Sequence, residues 1–500
     1  MPETLPEVST PLPHKALRTR NWFPSPAWAW PRGTRELLII AAACPQEARA
    51  ADALKQWLQL ADLNDATFAE HRLLVRAANR FPASRLDIPE RARIDGLVRM
   101  LWSKSRVSLK AAEPVLQALT NADVKMLVIK GAAFSALDMR SLKGRIAHDI
   151  DLVISPQDYP VVLEVLETTG WRPDHVASRL YLEALGPRFH GLNFVKEPNG
   201  DIDVHTRIHR TVPHTHPTEA ALWQRARPVT FLGAQVHVPC PTDLFTIALA
   251  HGTVDAQHHV DWIADCARLI GADSVDWPLF LKTVRDMHMV PHAYLALGYM
   301  SQVLDVSVPV DVADVLRHET RTSNPLAYFE ALFLFHPRDE HSLLSGLGRR
   351  ISKRRQARRT RAINNSLPGR LHKRTRKMRR AKAGGSGFAT SAPALRQRLP
   401  LLPGQSRFRL TVDFGKAGVA RRYYVEINTS ERHLERLKFR DLFGKGRAVA
   451  EVVISLAEGV DATDIWVESH PAGPIPVRAA PETVRAQGAV PVRVAVWPLE

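Results

Sequence analysis

The order of apolar and polar positions divides the chain before any chemistry is considered. From Thr34 to about Asn121 apolar residues recur three and four apart, as in Ile94, Leu97, Val98, Leu101 and Trp102. That spacing predicts amphipathic helices, with Pro82 and Pro89 breaking the pattern between two of them. At Val124 the texture changes. Met126–Ile129 and Asp149–Ile154 are short apolar runs, one closed by Gly131 and the other by Ser155-Pro156, which reads as a helix N-cap followed by a first-turn proline. The helix after it carries Val161, Val162, Val165 and Leu166 and stops at Gly170. Gly191–Lys196 and Asp201–Arg207 flank the turn Glu197-Pro198-Asn199-Gly200 and predict a hairpin, and Val229–Phe231 with Val236–Val238 predict another around Gly233.

Residues 241–345 return to helical spacing. After Arg407 the pattern alternates, with Phe408, Leu410 and Val412 on one side and Arg409, Thr411 and Asp413 on the other. The expected fold class is α/β (α+β): a core with a small mixed sheet, flanked by helical segments, and a separate C-terminal antiparallel β domain. The expected divisions are a Pro-rich tail at 1–33, a helical region at 34–123, a core at 124–240, a helical domain at 241–345, a basic flexible linker at 346–400 with a Gly384–Gly387 joint, and a β-rich domain at 401–500.

Composition changes this picture in one place. The formal charge is +17, but residues 349–382 hold sixteen Lys or Arg and no Asp or Glu, which accounts for all but one of it. The basicity therefore belongs to one segment, which is expected to bind nucleic acid through phosphates. It lacks the interleaved aromatics of a stacking platform; an anionic membrane surface or no dedicated partner are the alternatives. Cys44, Cys240 and Cys266 lie far apart, which fits a reducing compartment, and a cytoplasmic location is expected. No apolar run approaches the length of a membrane span. Leu37–Cys44 ends in small residues before a cysteine, as a lipoprotein signal does, but a buried helix is the expectation there.

The chemistry gathers in the middle. Asp149 and Asp151 alternate with Ile150 and Leu152, so on a strand both carboxylates face one side. Paired carboxylates repel unless a cation lies between them, and magnesium is the usual one. A third carboxylate on a neighbouring strand would complete a clamp for two ions, of the kind that serves phosphoryl and nucleotidyl transfer. Asp203 is the candidate, although Asp201 shares its face. Gly131 would let a loop approach a triphosphate, and Lys130 and Arg145 could neutralise phosphate charge. Asp-apolar-Asp alone is common; its value here comes from the order of strand, Gly turn, helix, paired Asp and then Asp on a hairpin. The alternative is that these Asp residues cap strands or pair with Arg145 and Lys143. His205, His209, His214 and His216 invite a zinc reading, but no acid or Cys accompanies them at ligand spacing. His251 and Asp265 read as polar contacts between packed helices, with a place in a substrate pocket as the alternative.

Lys130-Gly131-Ala132-Ala133, Arg145-x-x-x-Asp149-Ile150-Asp151-Leu152-Val153, Gly170-Trp171 and Asp203-Val204-His205 resemble the uncharacterised nucleotidyltransferase family of the polymerase-β-like superfamily. The similarity covers roughly residues 34–300. It implies that Asp149, Asp151 and Asp203 hold two magnesium ions, with Lys130, Gly131 and Arg145 at the nucleotide and His205 bracing Asp203 or contacting substrate. It implies transfer of a nucleoside monophosphate from a nucleoside triphosphate such as ATP to a hydroxyl or phosphate acceptor. The other class of function is a non-catalytic nucleic-acid adaptor that keeps the fold. Two positions depart from the pattern: Ala132 stands where the superfamily has Ser, and Thr206 where an aromatic follows the His.

Overall fold

The structure is a computed structural model. It describes residues 24–174, 186–210, 212–255, 260–322, 325–336 and 346–355, with Leu182 and Arg358, and beyond these the C-terminal strands and short links named below. The chain divides into two compact units, Met1–Ala77 with Ala248–Arg355, and Ala78–Ile247 with Gln356–Glu500.

In the first unit, α1 (Gly33–Ala43) and α2 (Glu47–Leu60) pack through apolar faces that include Leu38, Ile39, Leu54 and Trp57. The run before Cys44 is thus the buried helix expected from the sequence. Helix α3 (Phe68–Arg80) is tied to the helix Asp261–Gly271 by Arg72, whose Nε and Nη2 donate to Asp261 Oδ2 at 2.9 and 2.7 Å, and by the Arg76–Asp265 ion pair. Asp265 therefore serves helix packing. Trp30 is buried and its Nε1 donates to the Leu295 carbonyl at 3.1 Å, while Trp28 packs edge-on against Phe333. The end of the Pro-rich stretch is docked through these rings; residues 1–23 lie outside the described residues.

The second unit holds a seven-stranded mixed sheet in the order β3-β4-β5-β2-β1-β7-β6. The strands are β1 (Leu127–Ile129), β2 (Ile150–Val153), β3 (Arg172–Pro173), β4 (Gly191–Lys196), β5 (Gly200–His205), β6 (Arg227–Phe231) and β7 (Ala234–Val238). Both expected hairpins form. β4 and β5 pair from Lys196↔Gly200 outward, and β6 and β7 close on Leu232-Gly233, both with positive φ. Leu127, Ile129, Val153, Ile208, Leu222 and Ile247 form one core cluster. Helix α4 (Arg91–Asn121) runs through Pro114, and its buried Ser105 accepts from the Ala147 amide at 3.2 Å, while Ser108 donates to the His148 carbonyl. These two serines hold the chain leading into β2.

Two expectations need correction. The helix after β2 is α6 (Tyr159–Thr168), and Ser155 does not cap it. Residues 155–158 form a turn closed by the Asp158 amide on the Ser155 carbonyl at 3.0 Å, and the helix starts after Asp158 with Pro160, not Pro156, in its first turn. The basic linker is also not one uniform segment. Residues 346–355 are helical, with Arg349 Nε donating to the Phe333 carbonyl at 3.2 Å and Arg355 paired with Glu330. β8 (Arg376–Arg380) and β9 (Arg396–Arg398) are edge strands. Residues 359–375 and the Gly-rich joint at 384–387 lie outside the described residues.

The C-terminal region adds β10 (Arg407–Lys416), β11 (Tyr423–Asn428), β12 (His433–Lys438), β13 (Arg447–Ser455), β14 (Trp466–Pro471) and β15 (Arg493–Pro498), which with β8 and β9 make two four-stranded antiparallel sheets, β15-β10-β13-β8 and β12-β11-β14-β9. Phe408, Leu410 and Ile454 are buried in the first, and Val425, Ile427 and Val467 in the second.

Candidate active site

The site is built on β2, between β1 and β5. Strand β1 is three buried apolar residues, and its antiparallel register sets Ile129 opposite Asp151. The next residue, Lys130, takes a left-handed φ of 51°, which costs a non-glycine residue about 1 kcal/mol. This turn starts α5 (Lys130–Leu137) and places the Lys130 ammonium on Asp151 Oδ1 as an ion pair. On the other side β2 and β5 run parallel, with Asp151 paired to Asp203 and Val153 to His205. Side chains of registered neighbours share a face, so the two carboxylates stand side by side.

His205 joins them. Its Nε2 lies 2.9 Å from Asp151 Oδ1 and 3.1 Å from Asp203 Oδ2. Asp151 and His205 are almost fully buried and Asp203 is half-buried. Burial would raise the Asp151 carboxyl, but Lys130 and then His205 outweigh it and hold it well below the usual carboxylate range. Burial and Lys130 oppose the imidazolium of His205, yet Asp203 and Asp151 raise it to about 9. Burial and then Asp149 push the Asp201 carboxyl up to about 7. Such like-charge crowding is what a bound cation relieves.

Among the described residues, Asp151, Asp203 and His205 are the one group able to hold a metal ion, with ligand atoms all within 4.8 Å of one another. Two carboxylates with an imidazole suit a divalent cation that also takes phosphate oxygens and water. Asp149 precedes β2 and is exposed, and its charge acts on both Lys130 and Asp201. Of the sequence candidates, Lys130, Asp151, Asp203 and His205 thus come together, with Asp149 at the entry to β2, and it is His205 that lies against both registered carboxylates.

Gly131 and Arg145 also meet. A Cβ on Gly131 would collide with the Arg145 guanidinium, which is buried and lies 5.4 Å from the centroid of the Phe134 ring. Glycine is needed there so that Arg145 can cross the α5 backbone. Of the zinc candidates, His216 caps the helix α7 (Pro217–Arg225) through Nδ1, which accepts from the Thr218 amide at 3.3 Å. His209 is buried, and among the described residues neither it, His214 nor His216 joins a metal-holding group.

Three site residues carried no signal in the sequence. Gly191 sits opposite His205 in the β4–β5 register, and a Cβ there would lie 2.6 Å from His205 Nδ1. Asn193 sits opposite Asp203 and hydrogen-bonds to Asp201. The ring of His190 packs edge-on against His205 with centroids 5.0 Å apart. Their roles follow from which strand lies next to β5. A Gly-x-Asn opposite an Asp-x-His in a predicted hairpin was the only available hint.

No curated protein matches the chain. A solution structure of the antibiotic-resistance factor ANT(2'')-Ia aligns at 13% identity over 44% of this chain and 93% of that one, with a TM-score of 0.24. Residues 60–305 match the family described as an uncharacterised nucleotidyltransferase, a span that contains the whole seven-stranded sheet and every residue of the site. Over residues 60–305, just under half of its length, the chain is similar to this nucleotidyltransferase family.

Proposed function

We propose that residues 124–240 transfer a nucleoside monophosphate from a magnesium–nucleoside triphosphate to a hydroxyl or phosphate acceptor. The observation that carries this reading is the registered pair Asp151–Asp203 with His205 across both. The acceptor oxygen bonds to the α-phosphorus, the α–β bridging bond breaks, and pyrophosphate leaves with the bonding electrons. For a hydroxyl acceptor, Asp203 takes the proton, since it is the more accessible of the two registered carboxylates.

Asp149, Asp151 and Asp203 would hold two magnesium ions, which supply charge neutralisation for the phosphates. What supports Asp149 in the set is its exposure at the entry to β2 and the reach of its charge to Lys130 and Asp201. His205 keeps Asp151 and Asp203 side by side. Lys130, Gly131 and Arg145, at the N-terminus of α5, are assigned to the phosphates, where the positive end of the helix adds to their charge. ATP is the first donor to test, the cytoplasm is the expected location, and no described helix is long and apolar enough to cross a membrane.

The test is incubation of the full chain with each α-labelled nucleoside triphosphate, magnesium and a cell extract. Label transferred to an acceptor by the native protein, and not by Asp149→Asn or Asp151→Asn, is the expected result. No magnesium-dependent triphosphate binding and no transfer with any nucleotide would overturn it. The second reading, a nucleic-acid adaptor that keeps the fold without catalysis, is favoured by the sixteen cations of residues 349–382 and opposed by the intact carboxylates.

A further inference from the structure

Arg207 follows His205 by two residues, just past the end of β5. Backbone pairing reaches Thr206, the residue before it. The Thr206 amide donates to the His190 carbonyl at 3.1 Å, and the Ile154 amide to the His205 carbonyl at 2.9 Å. Arg207 is 3% exposed. Among the described residues, nothing accepts from its Nε, Nη1 or Nη2. A guanidinium is the most persistent cation among side chains, and leaving water without an acceptor is costly for it.

The neighbours do not compensate it. Glu219 is the one carboxylate among the described residues whose charge acts on Arg207, and Arg210 opposes it. The Glu219 oxygens accept from the Ile208 and His209 amides, at 2.9 and 2.8 Å. The charge of Arg207 is felt on two sides. On one is His190, whose ring packs on His205 and whose buried Nε2 also has no partner. On the other are His214 and Glu219, which line a pocket of about 270 Å³ with Thr206, Lys125, Ser155 and Trp223.

We propose that Arg207, with the His190 ring that packs on His205, is a built-in binding site for a phosphate group of a substrate, next to the carboxylates proposed above to hold the metal. A fork of five N–H donors fits the oxygens of a phosphate in a bidentate manner, and burial strengthens each bond. The phosphate could belong to the triphosphate tail or to a phosphorylated acceptor. The inference rests on the proposed transfer reaction only for the identity of these substrates.

The experiment uses the full chain in chelator, so that no metal contributes, with tripolyphosphate as the donor probe and orthophosphate as the acceptor probe. Affinity is read by calorimetry, and the melting temperature is read with and without each anion. Arg207→Met should bind one of the anions roughly ten- to hundred-fold more weakly, the scale of charged hydrogen bonds lost from a buried site. Arg207→Lys should lose less, because it keeps the charge and not the fork.

Without anion, Arg207→Met should melt at or above the native temperature, since an uncompensated buried charge is gone. A structural arginine would do the reverse. Loss confined to tripolyphosphate assigns the site to the donor, and loss confined to orthophosphate assigns it to the acceptor. Unchanged affinity for both anions in Arg207→Met and Arg207→Lys would overturn the inference. A native chain that binds the anions through Arg207 yet transfers no nucleotide would instead overturn the proposed function and leave the anion site standing.

Discussion

Lys130 and His205 reach the same oxygen of Asp151, Oδ1, from opposite neighbouring strands of the sheet. Lys130 arrives from the end of β1 and His205 from the end of β5, on either side of β2. Asp151 is therefore the point where three strands are bound electrostatically as well as by their backbones. Asp149 is exposed and precedes the strand.

That difference separates two substitutions that look equivalent in the sequence. Asp149→Asn and Asp151→Asn should both abolish magnesium-dependent transfer. Asp149→Asn should leave stability unchanged. Asp151→Asn strands two buried cations and should cost about 3–5 kcal/mol, the usual effect of removing one partner of a buried pair. Parallel activity assays and denaturant titrations of the two variants check this. Full activity in both, or equal stability losses, would contradict the site.

Gly191→Ala should damage the site with little effect on the rest of the fold. The added methyl would lie 2.6 Å from His205 Nδ1 and 3.0 Å from Asp203 Oδ1. Overpacking of this kind costs about 1–3 kcal/mol, and His205 is the group free to yield. We expect transfer to fall by at least an order of magnitude while the melting temperature drops by a few degrees. Wild-type kcat with an unchanged melting temperature would show that His205 has room to move.

Burial pushes the Glu219 carboxyl up from 4.5 to about 7, against the Ile208 and His209 amides and Arg207. Between these two values the folded chain holds a proton that the unfolded chain has released. The resulting stability is whole below pH 4.5 and is lost as pH rises through 7, an effect on the order of 3 kcal/mol. The stability of the native chain minus that of Glu219→Gln should therefore fall across this window and level off above it. Chemical denaturation of both proteins from pH 4.5 to 8 gives the curve. A difference that rises with pH would mean Glu219 is folded as the anion.

A chain ending at Leu347 should be less stable than one ending after Arg358. The longer one keeps Arg349 on the Phe333 and His336 carbonyls, buried Ser352 and the Arg355–Glu330 pair. Melting temperatures of the two chains decide it. Equal values would show that residues 348–358 contribute nothing to the helices before them.

Residues 349–382 should bind polyanions with little sequence preference, because Lys and Arg on phosphates read no bases. With six phosphate contacts, log affinity against log salt should slope at about −4 to −5. Comparing the full chain with one lacking 359–382 across a salt series, on RNA and on DNA, tests this. Equal slopes would exclude the segment as a nucleic-acid element.

Much of the fold was legible because it is local. Helix spacing in 34–121, the Asn199-Gly200 and Leu232-Gly233 turns, and the alternation after Arg407 depend on residues close in sequence, where backbone propensity and apolar period act directly. The start of α6 was misplaced because Ser155-Pro156 satisfies a capping pattern that a tight turn satisfies equally well. The basic run reads as a flexible linker because charge density says nothing of which arginines find carbonyls, as Arg349 does.

The sequence by itself determined which residues could carry chemistry: Asp149, Asp151 and Asp203 at strand-like spacing, Lys130 and Gly131 at a strand end, and His205 two residues past Asp203. It could not rank them. Which carboxylate faces which depends on strand order and register, and these are settled by long-range packing. The parallel pairing of β2 with β5 put Asp203 and not Asp201 beside Asp151. It brought His205 to both and left Asp149 at the edge. The antiparallel pairing of β4 then set Gly191 and Asn193 against them. Arg207 is the clearest case. In the sequence it is one arginine among many, and only burial without a partner, which no local pattern encodes, distinguishes it.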